Sequence, residues 1–275
     1  MDWLLDPFSD AFMVRALLAS IFAVITTSVV GTWVVVRGMA FMGDALAHGV
    51  LPGIAIAFLL DVNLILGAAA ASVFMILFIS LIHRTTQLTE DTAIGLLFVG
   101  MLALGVIIVS RSGSFAVDLV SILFGDVLGT TMSDVVIQAV AAVVAVAGVV
   151  VFHRPLMALS FNEEKALLLG MRPGLTHLVM MGLVTLAIVT SFRTVGTLLV
   201  FGLLIAPPAT ASLVARRVPM MMLTSIGFGV AAVVVGLFVS FHLDIAAGAT
   251  MSGLAVMLFF ATLAVTRLHG RLTVT

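Results

Sequence analysis

Residues 12–36 read FMVRALLASIFAVITTSVVGTWVVV, an apolar run whose one charged residue is Arg15. About 20 consecutive apolar residues are enough for a helix to cross the hydrocarbon core of a bilayer. The whole chain of 275 residues is similar: it is 63% hydrophobic and 9% charged, with a mean hydropathy of +1.35. A water-soluble chain of this length cannot bury so much apolar surface. The composition therefore excludes a soluble enzyme, a nucleic-acid binder and a disordered protein, and predicts an integral membrane protein.

Eight more apolar runs of similar length follow the first one. They are rich in Val, Leu, Ile, Ala and Met and lack the alternating pattern of outer-membrane barrel strands. We therefore expect an all-α, polytopic helical membrane protein of about nine spans that forms a single transmembrane domain over residues 1–275. The predicted spans are 12–36, 42–60, 63–82, 90–109, 132–152, 174–191, 196–215, 219–241 and 247–266.

The distribution of Lys and Arg predicts that the N-terminus is outside and the C-terminus inside. Cytoplasmic loops carry an excess of these residues, and nine of the 12 fall inside with this orientation. The inside set is Arg37, Arg84, Arg154, Lys165, Arg172, Arg216, Arg217, Arg267 and Arg271, and the outside set is Arg15, Arg111 and Arg193.

Two segments between the spans are candidate elements of their own. Residues 114–129 are apolar but too short to span, so we expect a re-entrant or surface helix on the outer side. On the inner side, Ser160 is a candidate N-cap and Gly170 a candidate stop for a short helix over 161–170. This segment is either a docking helix for another protein or a structured loop.

Two polar residues stand out in the second predicted span, which contains MAFMGDALAHGVLPG at residues 39–53. Asp44 and His48 are four residues apart, so a helix places both side chains on one face. Ionisable groups at membrane depth are costly and indicate a functional site. A carboxylate oxygen and an imidazole nitrogen suit Mn²⁺, Fe²⁺ or Zn²⁺, and the chain has no Cys to supply thiolate ligands. One chain offers two ligands, and a symmetric dimer would offer four.

The same two residues also allow a structural interpretation. Asp44 would then cap the first turn of a buried helix, and His48 would be a packing residue paired with it. The next stripe of small residues, Ala45, Gly49 and Gly53, predicts close packing against another helix, and Pro52 predicts a kink.

The sequence argues against several other classes of function and leaves one open. The chain has no G-x-x-x-x-G-K-[ST] motif, so it does not hydrolyse ATP through a P-loop. The sequence forms that an intramembrane protease requires are also missing. A gradient-driven secondary metal transporter or channel remains an alternative, because Asp44 and His48 could relay protons. A pure scaffold would gain nothing from a buried Asp and His.

Several motifs together resemble the permeases of manganese/zinc ABC importers. The specific block is Arg37-Gly38-Met39, Gly43-Asp44-Ala45-Leu46-Ala47-His48 and Leu51-Pro52-Gly53. Further matches follow in the order expected for that family, over nearly the whole chain. They are Leu123-Phe124-Gly125-Asp126 with Gly129, Phe161-Asn162-Glu163-Glu164-Lys165-Ala166 with Gly170, Val195-Gly196-Thr197-Leu198-Leu199-Val200, Leu203-Leu204-Ile205-Ala206-Pro207-Pro208-Ala209-Thr210-Ala211, and Asp244 with Gly248-Ala249.

The resemblance implies a homodimeric permease in a bacterial cytoplasmic membrane, related in fold to the cobalamin and iron-siderophore importers. It would have no permanently bound cofactor and would transport Mn²⁺ or Zn²⁺, with Fe²⁺ as a further candidate. Cytoplasmic ABC ATPase subunits would hydrolyse ATP, and an extracytoplasmic solute-binding protein would deliver the ion. Asp44 and His48 would contact the metal. ATPase coupling would use Phe161, Asn162, Glu163, Glu164, Ala166 and Gly170, and the candidates for the outer entrance are Asp126, Arg193 and Asp244.

Overall fold

The structure is a computed structural model that describes residues 10–272 apart from 111–124, 126, 128, 162 and 169. Over these residues the chain forms helices and no strands. In chain order the helices are α1 (Ala11–Val36), α2 (Ala40–Gly49), α3 (Leu51–Leu59), α4 (Leu64–Thr85), α5 (Glu90–Ser110), α6 (Met132–Val151), α7 (His153–Phe161), α8 (Glu163–Leu168), α9 (Pro173–Val195), α10 (Thr197–Val214), α11 (Val218–Leu243) and α12 (Ala247–Leu272).

Each of the nine predicted spans coincides with a helix or, in the second span, with the pair α2 and α3. In the part of the chain that the structure describes, 8 helical stretches are long and apolar enough to cross a membrane. The remaining predicted span, 196–215, is α10, in which the described apolar stretch is the shorter Val200–Ser212. The all-helical, multi-pass fold is confirmed.

Helix α1 lies at the centre of the bundle and packs against α6, α9, α10 and α11. It carries buried hydroxyl side chains, which a membrane helix tolerates when they bond within the helix. Thr26, Thr27 and Thr32 donate to carbonyls one turn earlier at 2.9, 2.9 and 2.7 Å. These three hydroxyl groups are therefore compatible with burial.

Helix α10 continues through Pro207 and Pro208. Proline has no N–H, so Pro208 cannot bond to the carbonyl of Leu204 one turn earlier. That carbonyl faces Gly31 of α1, where an added Cβ would collide with the carbonyl oxygen and lie 3.1 Å from Pro208 Cγ. The close approach of the two backbones requires glycine at position 31.

The segment predicted as one short helix is two helices. Ser160 does not cap a helix over 161–170, since it lies inside α7 and its hydroxyl donates to the Leu156 carbonyl at 2.8 Å. A new helix, α8, begins at Glu163. The predicted stop at Gly170 is found: its φ is +73°, and its N–H donates to the Leu167 carbonyl at 2.9 Å. The predicted outer helix over 114–129 falls mostly outside the described residues.

Candidate functional site

The candidate ion site lies on α2, which is a short helix because of the residues at its two ends. Gly38 has a φ of +67° and makes the turn after α1, and the N–H of Met39 donates to the Val34 carbonyl at 3.0 Å. At the other end Pro52 cannot donate to the carbonyl of His48, and the helix is interrupted at Val50 before α3 begins. The predicted kink is therefore present, directly after the two polar residues.

Asp44 and His48 meet on one face of α2, as their spacing predicts. His48 Nε2 lies 3.4 Å from Asp44 Oδ1, and the side chains are 18% and 31% exposed, respectively. The opposite face of α2 is in the core, where Met42, Ala45 and Leu46 are at most 1% exposed. The polar pair thus lies on a side of α2 that remains accessible to a ligand.

The structure excludes the capping interpretation of Asp44. The N-cap of α2 is Met39, and the first turn contains no acidic residue. The free N–H groups of a helix are in its first turn. Asp44 is the fifth residue of α2 and lies beyond that turn. Its carboxylate therefore serves no helix end, and its visible partner on α2 is His48.

Aromatic rings border the pair on the side of α5. The ring centroid of Phe98 is 5.7 Å from that of His48 and 6.1 Å from that of Phe41, whose side chain is 41% exposed. Among the described residues, no group of three or more His, Cys, Asp or Glu side chains is close enough to hold a metal.

The predicted stripe of small residues packs against another helix of the same chain. An added Cβ on Gly53 would collide with the Gly67 carbonyl oxygen and lie 2.6 Å from Ala71 Cβ, so α3 crosses α4 at backbone contact. Gly49 faces the thioether of Met75 on the same helix α4. The stripe fixes α2 and α3 against α4 and leaves Asp44 and His48 on another side.

Of the three outer candidates, Asp244 is the one whose side chain is described. It is exposed and ends α11 in the left-handed conformation, with φ 56° and ψ 41°. Asp126 lies outside the described residues, as does the side chain of Arg193. The neighbouring Gly125 is described: an added Cβ there would lie 2.5 Å from Val195 C and 2.7 Å from Thr194 O. Two motif blocks that are far apart in sequence, 123–126 and 195–200, therefore touch at the junction of α9 and α10.

The coupling candidates are divided between exposed and buried positions. Phe161 is 83% exposed and Leu168 is 87% exposed, while Ala166 is 1% exposed and packs inward. Asn162 lies outside the described residues, as do the side chains of Glu163 and Glu164. The N–H of Met171 donates to the Ala166 carbonyl at 3.0 Å, which ties α8 to the start of α9.

A polar contact that no sequence motif indicates joins the end of α1 to α9. Arg37 Nη1 lies 3.4 Å from His177 Nδ1 and 3.2 Å from Met180 Sδ. Arg37 belongs to the motif block that precedes Asp44, but its partners are 140 and 143 residues away in the chain. No local pattern in the sequence could have indicated this pairing.

These features define a class: a multi-pass helical membrane protein with a polar Asp–His pair on an interrupted helix. Residues 9–266 match the model of the ABC 3 transport family. The chain belongs to this family.

Two relatives illustrate the range of the family. The manganese transport system membrane protein MntC of Listeria monocytogenes is 35% identical over 250 residues, which cover 91% of this chain and 89% of the relative. A probable iron transport system membrane protein of Haemophilus influenzae is 31% identical over 270 residues, which cover 98% of this chain and 99% of the relative.

Two solved structures share the fold. PsaBC from Streptococcus pneumoniae in complex with Fab superposes with a TM-score of 0.85 at 34% identity, and the match covers 94% of each chain. A metal-chelate type ABC transporter in an inward-facing conformation gives a TM-score of 0.71 at 16% identity, covering 92% of this chain and 85% of the other. The predicted family and the predicted ABC-importer permease fold are confirmed.

Proposed function

We propose that this chain is the permease subunit of an ABC importer for divalent transition metals, in the cytoplasmic membrane of a bacterium. The observation that carries the proposal is the Asp44–His48 pair, 3.4 Å apart and partly exposed on a helix whose opposite face is buried. Manganese and iron transport proteins among the relatives support a metal as the cargo. The transported ion is the substrate of the permease and not a resident cofactor.

The ion site that we propose is formed by two copies of the chain. Each copy contributes one carboxylate and one imidazole, which gives four ligands of the types that Mn²⁺, Fe²⁺ and Zn²⁺ accept. The number of ligands supports the dimer, since the described residues of one chain provide no cluster of three. Imidazole and carboxylate bind Zn²⁺ more tightly than Mn²⁺ in an open site, so the affinity of these ligands alone would not select manganese.

Weak binding is a requirement of this function, because a transport site must release the ion as readily as it accepts it. The partial exposure of both side chains suits that requirement, since an exposed site can exchange water for protein ligands on either side. Alternating access would open the site first outward and then inward. Asp126, Arg193 and Asp244 are the proposed outer entrance.

ATP hydrolysis by the partner subunits would act on the permease through the segment from Phe161 to Gly170. In the proposed orientation this segment is cytoplasmic, where separate ATPase subunits would bind it and hydrolyse ATP. The exposed Phe161 and Leu168 offer apolar contacts, and the remaining candidates Asn162, Glu163 and Glu164 would complete the surface around the buried Ala166. An extracytoplasmic solute-binding protein would deliver the metal on the opposite side.

The experiment that tests the proposal is uptake of radioactive Mn²⁺ and Zn²⁺ into proteoliposomes that contain the permease, its ATPase and its solute-binding protein. We expect uptake to require ATP and to be lost in Asp44→Asn and His48→Gln, which preserve side-chain size. Uptake driven by a proton gradient without ATP would instead support a secondary transporter. Uptake that survives in both variants would place the ion site elsewhere.

A further inference from the structure

The contact between Arg37 and His177 joins two parts of the molecule that the proposed function uses separately. Arg37 is the residue after α1, at the end that the proposed orientation places in the cytoplasm. His177 and Met180 lie in the first two turns of α9. The Arg37 and His177 side chains are half-buried, and Met180 is 1% exposed, so the guanidinium is held between packed helices.

The chemistry of the contact fixes the role of each partner. A guanidinium has donors only and keeps its charge, so the contact is a hydrogen bond when His177 Nδ1 accepts, which requires a neutral ring with its proton on Nε2. The thioether sulfur of Met180, at 3.2 Å, is a second and weaker acceptor. A side chain at position 177 therefore maintains the contact only if it presents an acceptor to Arg37.

His177 is connected to the coupling segment through the start of α9. Helix α9 begins at Pro173, two residues after Met171, whose N–H is bonded to the Ala166 carbonyl of α8 at 3.0 Å. Both α7 and α8 also pack against α9. A displacement of the coupling segment thus reaches the first turns of α9, where His177 lies.

Arg37 is connected to the ion site through the short link to α2. Gly38 and Met39 are the whole link between Arg37 and α2. Asp44 follows Ala40 by four residues, which is about 6 Å along the helix axis. A movement of Arg37 therefore moves the start of the helix that carries Asp44 and His48, without any intervening loop to absorb it.

We propose that Arg37 and His177 are positioning residues that transmit the movement of the coupling segment to the ion-binding helix α2. The inference rests on the proposed function, because it assigns this pair a part in coupling ATP hydrolysis to transport. The pair does not touch the ion. It passes a displacement of α9 on to the start of α2 through the hydrogen bond between Arg37 Nη1 and His177 Nδ1.

The test uses the complete transporter in proteoliposomes and measures Mn²⁺ uptake, ATP hydrolysis and Mn²⁺ affinity without nucleotide. The variants are His177→Lys, which places a cation against Arg37, His177→Leu, which removes the acceptor, and His177→Gln, which retains one. We expect the Lys and Leu variants to import about tenfold less Mn²⁺ per ATP, because the loss of a hydrogen bond to a charged group shifts a conformational equilibrium by about tenfold or more. His177→Gln should restore the ratio, and Mn²⁺ affinity should be unchanged in all three.

The matched control is Arg267→Ala, which removes an exposed basic residue at the same end of the bundle. It should leave the ratio of Mn²⁺ to ATP unchanged. A wild-type ratio in both His177→Lys and His177→Leu would overturn the inference, and so would a proportional loss of ATPase activity and uptake. If His177→Lys does not assemble, His177→Leu and His177→Gln decide the question. Absence of ATP-dependent uptake by the wild-type transporter would instead refute the proposed function, and this inference with it.

Discussion

Replacing Gly53 by Ala tests the packing that holds the ion-binding segment in place. The new Cβ would collide with the Gly67 carbonyl oxygen and lie 2.6 Å from Ala71 Cβ. Carbon atoms prefer separations of 3.5–4.0 Å, so α3 must move away from α4 by about 1 Å. Neither obstacle is a flexible side chain. Overpacking of this kind costs about 1–3 kcal/mol.

The assay is thermal unfolding of the purified permease, followed by the intrinsic fluorescence of the buried Trp33. A loss of this size lowers the Tm by about 2–5 °C for a chain of this length. The control is Gly100→Ala on α5, where an added Cβ meets no atom within 4 Å. Alanine is about 1 kcal/mol better than glycine inside a helix, so the control should be neutral or slightly stabilising. Equal Tm values for the two variants would refute the backbone contact between α3 and α4.

Three further predictions concern stability and assembly. Gly196→Ala should cost about 1–3 kcal/mol by chemical unfolding, because φ is 90° and ψ 150° at this junction, whereas Gly174→Ala, with no atom nearby, should not. Thr131→Ala should cost about 1 kcal/mol by the same measurement, since it removes the capping box of α6. Phe161→Ala should leave the Tm unchanged but weaken co-purification of the ATPase, whereas truncation of the buried Leu156 should lower the Tm. Normal ATPase binding by Phe161→Ala would contradict the docking role.

The fold is predictable because the length of each apolar run indicates whether it can cross a membrane. An apolar run that must cross a bilayer can satisfy its backbone only as a helix, and each of the nine predicted runs is helical. The pairing of Asp44 with His48 was equally local, because residues four apart on a helix are neighbours. The break after His48 followed from Pro52, which cannot continue the hydrogen-bond pattern.

Other features were beyond the reach of sequence patterns. Ser160 was expected to cap a helix, but a serine hydroxyl can also bond to the carbonyl one turn earlier, and here it continues α7. The pairing of Arg37 with His177 spans 140 residues and depends on how α1 and α9 pack. The approach of Gly31 to the Leu204 carbonyl is likewise a result of tertiary packing.

The most direct test of the proposed ion site is Mn²⁺ binding to the purified permease, counted per chain and followed by pulsed electron paramagnetic resonance. Two copies that share one site should bind one ion per two chains, with nitrogen coupling from the imidazole of His48. His48→Gln should abolish the nitrogen coupling, and Asp44→Asn should weaken binding. One ion per chain, or nitrogen coupling that persists in His48→Gln, would contradict a shared site built from Asp44 and His48.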